Sequence, residues 1–181
     1  MKKITKSLLL SILCLFAMFV TAGATTQQFE DVSPDDWYYD AVMEISSYYA
    51  VEAGGAFNPN EHVSQAEANA LINCLLGESL TMVSTSSKAT RIQVAEAISA
   101  NITIEMPTMS LRRISVSFND VSGSDLQCVS LLSSAGIVRG AVDSQNQIMF
   151  YPNNEITRAE LYAMVSRALA LNSTPLVEDV I

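Results

Sequence analysis

The chain has 181 residues, of which 49% are hydrophobic and 16% charged, with 19 acids against 10 bases and a formal net charge of −9. The length suits one compact domain or a few small modules and excludes a large multidomain enzyme. So acidic a chain repels phosphate backbones, and its single histidine, His62, excludes two-histidine mechanisms and most His-rich metal sites.

The N-terminus carries Lys2, Lys3 and Lys6, an apolar run from Leu8 to Val20, then Ala22-Gly23-Ala24. This is the pattern of a secretory signal peptide over residues 1–24. The run is too short to cross about 30 Å of hydrocarbon as a helix, so no membrane span is expected after cleavage. Cleavage removes lysines and no acid, which makes the exported chain more acidic still. Cys74 and Cys128 remain, either as a disulfide or as two buried thiols.

An internal repeat follows. The first copy, residues 25–77, opens on Phe29-Glu30-Asp31-Val32. Trp37, Ala41, Ile45, Tyr48 and Tyr49 then recur at helical spacing, with Pro34, Asp35 and Asp36 suited to a first turn. Gly54-Gly55 ends that helix, and Phe57-Asn58-Pro59 leads into Ser64-Gln65-Ala66-Glu67, a capping box opening a second helix. The middle copy, 78–117, is degenerate: a Ser/Thr-rich loop to Ala89, then the box Thr90-Arg91-Ile92-Gln93 and a helix. Ile114, Val116 and Phe118 alternate as in a short strand. The last copy, 118–171, opens on Phe118-Asn119-Asp120-Val121 and runs through a helix with Cys128, Leu131, Leu132 and Ala135. It turns at Gly136-Ile137-Val138-Arg139-Gly140, carries a longer loop from Ala141 to Met149, and reaches Phe150-Tyr151-Pro152. Thr157-Arg158-Ala159-Glu160 opens its second helix, and 172–181 form a tail. Asp31 and Asp120 are expected to cap the turns that follow them. The acids Asp31, Asp35, Asp36 and Asp40 show neither calcium-loop spacing nor a glycosidase pair, so they fit a solvated helix start, and His62 fits a loop.

The ordered set of aromatic-x-Asp-Val, helix, Gly-Ile-x-x-Gly, Phe-x-Pro and Thr-Arg-Ala-Glu resembles the S-layer homology repeat. The resemblance implies a mainly α fold of helix-loop-helix repeats in a pseudo-three-pronged module, its middle repeat degenerate. It implies a secreted, non-catalytic module, without cofactor or metal, that holds an anionic polysaccharide of the bacterial cell wall whose sugars carry a pyruvate ketal. Arg158 is then the principal carboxylate ligand and Arg91 a secondary one, within an element that includes Thr157 and Glu160. Arg139 would line the same groove. Trp37 would offer a platform for a sugar, although a large aromatic more commonly packs in a core. An arginine fork suits a carboxylate through two parallel hydrogen bonds. Gln65 stands where the first repeat would carry its arginine. The alternative is an exported interaction module bound to another envelope protein.

Overall fold

The computed structural model describes residues 29–49, 55–77, 87–102 and 118–172. The signal segment, Ala50–Gly54, the alternating Ile114 and Val116, and the tail from Ser173 lie outside them. The described chain is mainly α. Its helices are α1 (Tyr39–Tyr48), α2 (Gln65–Leu76), α3 (Arg91–Asn101), α4 (Gly123–Ser134) and α5 (Arg158–Asn172). The long loop of the last repeat folds into a hairpin of β1 (Ala141–Val142) and β2 (Ile148–Met149), with Ala141 opposite Met149.

The three capped helices form the centre. At α3 the box is complete: Thr90 Oγ1 accepts from the Gln93 N–H at 3.4 Å, and Gln93 Oε1 accepts from the Thr90 N–H at 3.0 Å. Thr157 and Glu160 exchange the same pair of bonds at 3.3 and 3.0 Å. At α2 only the serine half forms, with Ser64 Oγ accepting from the Glu67 N–H at 3.1 Å. This corrects the expectation of a full box: among the described residues the Glu67 carboxylate serves Arg158 of another repeat alone, whereas Glu160 gives one oxygen to Arg91 and keeps the other for its box.

The segments leading into these helices close a ring. The Val63 N–H donates to the Ile156 carbonyl (3.1 Å), the Ile156 N–H to that of Ala89 (2.9 Å), and the Ala89 N–H to that of Val63 (3.0 Å). All three side chains are fully buried. Each short segment thus satisfies one donor and one acceptor against two neighbours, which a buried backbone requires. The middle repeat holds its place here through Ala89, despite lacking a Phe-x-Pro step.

The outer helices cross between repeats. α1 packs on α5 and α4 on α3, so each covers a helix from a different repeat, while α2, α3 and α5 contact one another. Phe57, Phe150, Leu71, Ile72, Ile98, Leu132, Ile137 and Leu161 are fully buried. Burying each such side chain is worth roughly 1.5–3 kcal/mol. Phe57 lies edge-on to Tyr162 at 4.9 Å and packs on Phe29, and Phe118 packs on Phe150.

Three local expectations change. α1 starts at Tyr39, after a turn in which Asp36 Oδ2 accepts from the Ser33 N–H at 2.7 Å, so Pro34 to Asp36 precede the helix. Asp31 and Asp120 do not cap their own turns. Asp31 accepts from the N–H groups of Phe57 and Asn58 at 2.6 and 2.7 Å, and Asp120 from those of Phe150 and Tyr151 at 2.8 and 2.6 Å. Asn58 and Tyr151 sit at φ 56° and 58°, a left-handed step that points successive N–H groups at one carboxylate. Cys74 and Cys128 are free, and Cys74 is exposed, so they are neither paired nor both buried.

Candidate functional site

Each box arginine crosses to the neighbouring repeat. Arg158 donates through Nε to Glu67 Oε1 (2.8 Å), through Nη1 to the carbonyls of Phe57 (2.7 Å) and Asn58 (3.3 Å), and through Nη2 to Glu61 (3.0 Å). Arg91 donates through Nε to the Phe150 carbonyl (3.0 Å), through Nη1 to Glu160 Oε1 (2.7 Å), and through Nη2 to the Arg139 carbonyl (3.4 Å). Both guanidinium groups lie over the phenylalanine of the step they grip, Arg91 at 5.0 Å from the Phe150 ring centre and Arg158 at 6.0 Å from that of Phe57. Only 14% of either side chain is exposed. Burial pulls the Arg158 pKa down, but the bonds and charges of Glu67 and Glu61 outweigh it, so the group is held protonated above its ordinary value.

The third junction follows the same geometry without charge. Gln65 Nε2 donates to Gln93 Oε1 at 3.3 Å, where Gln93 is the box residue of the next repeat. Three cross-repeat contacts therefore run in one direction round the ring: Arg158 to Glu67, Gln65 to Gln93, and Arg91 to Glu160.

A cleft of about 610 Å³ opens beside the Arg91–Glu160 pair, within the usual size of small-ligand sites. Arg91, Arg139, Thr157, Glu160 and Trp37 all line it. The structure thus brings together five of the six residues singled out from sequence. Arg158 stands outside. At about 100° per residue, the nine positions from Arg158 to Arg167 turn the helix by two and a half turns, so the two arginines leave α5 on opposite sides. Thr157 and Glu160 reach the cleft as box residues whose polar atoms are already bonded to each other and to Arg91. Trp37 is 63% exposed and touches Tyr38 edge-on at 5.3 Å, so it is a surface platform and not a core residue.

Sequence reasoning missed Arg167 and Tyr151 and placed His62 in a plain loop, yet all three line the cleft. Glu160, Ala163, Met164 and Arg167 follow an i, i+3, i+4, i+7 pattern, which would have put Arg167 on the same helix face as the box glutamate. Tyr151 holds a left-handed backbone that bulky residues seldom adopt, and such strain clusters at binding sites. His62 Nδ1 lies 3.1 Å from the Glu155 carbonyl. Three arginines face two glutamates in this cleft, a local positive excess in an acidic chain. Among the described residues, no cluster of His, Cys, Asp and Glu could hold a metal ion, and no helix is long and apolar enough to cross a membrane.

Comparison with known families matches the S-layer homology domain twice, at residues 28–68 and 117–161. The chain is an S-layer homology domain protein. Both matched spans run from an Asp-Val opening through a Phe-x-Pro step into a box helix; they include Arg158 and the Phe57 and Phe150 steps, while Arg91 lies between them. S-layer homology domains are binding domains and not catalytic ones; they mediate attachment to bacterial cell walls and their polysaccharides. The family places the protein at the bacterial cell surface. No curated protein matches the chain.

Proposed function

We propose that this protein is secreted and attaches to the cell wall by holding an anionic, pyruvylated polysaccharide in the cleft between α3 and α5. One observation carries the reading. Trp37, Arg91, Arg139 and the Thr157–Glu160 box, which lie far apart in sequence, converge on one open cleft with a positive excess. An exposed indole suits the apolar face of a sugar ring, and arginines suit its carboxylate. The chain's net negative charge opposes an anionic polymer only weakly, because salt screens distant charges beyond roughly 8 Å. The box residues shape the wall, since their own hydrogen bonds are already made.

Co-sedimentation of the purified protein with bacterial cell walls tests this. Parallel walls have the secondary polysaccharide stripped or its pyruvate hydrolysed. Retention that disappears with the pyruvate is the expected result; equal retention on stripped walls, or none on intact walls, overturns it.

A second reading, an envelope adaptor, draws on the exposed apolar side chains Tyr48, Val142 and Ile148, with Val142 64% exposed on the hairpin. It predicts retention that survives removal of the polysaccharide but not protease treatment of the walls.

A further inference from the structure

We propose that the protein takes one acidic sugar residue per chain, and that Arg139 and Arg167, not the two box arginines, are the cations that grip its carboxylate. This rests on the attachment reading above and assigns its ligands and stoichiometry.

The box arginines are committed. Arg91 and Arg158 each satisfy a carboxylate and at least one backbone carbonyl of another repeat, and both are largely buried. Drawing either onto a ligand would break a buried tie between repeats. Arg139 and Arg167 differ. Among the described residues no carboxylate pairs with either, and Arg167 donates only to the Ile137 carbonyl, at 3.2 Å. Both line the cleft, and the carbonyl that Arg167 holds lies two residues before Arg139. Burial lowers the Arg167 pKa, and the charge of Arg139 lowers it further. Two like charges at one cleft, neither paired with a carboxylate among the described residues, form a receptor for an anion. A carboxylate there would relieve the repulsion and accept charge-assisted bonds from both forks.

The other junctions lack the pair. Cys74 stands nine residues after Gln65, and Ala100 nine after Arg91, where Arg167 stands nine after Arg158. Gly54 precedes Gly55 where Arg139 precedes Gly140, and Asn58 replaces Tyr151. The last repeat has Leu126 in place of Trp37. Among the described residues, Arg139, Arg167, Tyr151 and Trp37 therefore meet at one junction of the three, which points to a single site.

Isothermal titration with a methyl hexoside bearing a 4,6-linked pyruvate ketal tests this, with its methyl ester as the uncharged control. One site per chain is expected, with the ester not bound. Arg167→Ala and Arg139→Gln should each weaken binding about ten- to hundred-fold, the loss of a charge-assisted pair. Arg139 is exposed in a turn, so its variant tests the idea even where Arg167→Ala lowers stability. Two or more sites per chain, or wild-type affinity in the Arg139→Gln/Arg167→Ala protein, overturns the assignment. Wall sedimentation run alongside separates the two claims. Pyruvate-dependent retention by that double variant refutes the grip and leaves attachment standing, whereas no retention of the wild type removes both.

Discussion

Replacing Arg158 with alanine separates a tie from a ligand. In the structure its guanidinium makes bonds of 2.7 and 2.8 Å to the Phe57 carbonyl and Glu67, with a further contact to Glu61 at 3.0 Å. Hydrogen bonds to charged groups contribute about 1.5–3 kcal/mol each. Glu67 is 34% exposed and Glu61 52% exposed, which puts the first at the low end and the second near the 0–1 kcal/mol of a surface pair. Water entering the gap recovers part of the loss. The net expectation is about 2–4 kcal/mol of lost stability, or a fall of roughly 5–15 °C in Tm for a chain of this size. Urea unfolding followed by far-ultraviolet circular dichroism measures it. A double-mutant cycle with Glu67→Gln should show a coupling of about 1–2 kcal/mol, because the two side chains touch directly. Wall retention should fall only in step with the unfolded fraction. A folded Arg158→Ala protein with an unchanged midpoint, a coupling below about 0.5 kcal/mol and no wall retention would refute this reasoning and return Arg158 to the ligand.

Gly140→Ala should destabilise the protein by about 1–3 kcal/mol and shift the hairpin, because the new methyl would lie 2.7 Å from Phe118, 2.8 Å from Ile148 and 2.9 Å from the Met149 carbonyl; thermal unfolding and hairpin amide shifts in NMR report it. Glu96 has its pKa raised, first by burial and then by Asp125 across the α3–α4 contact. A carboxyl raised in the folded state is penalised when ionised, so this group adds stability as pH falls from its raised value toward its ordinary 4.5. Glu96→Gln should therefore be slightly more stable than wild type at pH 7 and lose that advantage at pH 4, by an amount kept small by exposure, as urea midpoints at the two pH values will show. Cys74 is exposed, whereas burial pushes the Cys128 thiol up and Glu96 and Asp125 add to it against a bond from Ser99. Iodoacetamide should label Cys74 well before Cys128 in the folded protein, as peptide mass spectrometry will show.

The elements were legible in the sequence because each is fixed locally. A hydroxyl three residues before a Gln or Glu marks α2, α3 and α5, and Gly136 at φ 76° marks the end of α4. The convergence of five chosen residues on one cleft followed from matching repeats. What escaped was set between repeats. Nothing near Asp31 announces that its oxygens serve Phe57 and Asn58, 26 and 27 residues on. Nothing near Ser64 tells that Glu67 leaves its own box for Arg158, 91 residues away. A local pattern predicts a local bond; at Glu67 the charged partner across the ring takes its place, whereas Glu160 makes both.

The Gln65–Gln93 junction shows how tightly that cycle constrains sequence. Gln65 is 7% exposed, so an arginine there facing Gln93 would be a nearly buried charge without a carboxylate, and a glutamate at 93 facing Gln65 would be the converse. Breaking a buried pair by removing one partner costs about 3–5 kcal/mol, whereas replacing both with neutral groups of similar shape is often harmless. Two amides meet this condition, since one can donate while the other accepts. Gln65 and Gln93, where the other junctions carry an arginine and a glutamate, are therefore matched to each other across the junction. The same logic separates structure from binding in the intact junctions. A charge matched across repeats holds the ring, and a charge left unmatched, as at Arg139 and Arg167, is the one open to a ligand.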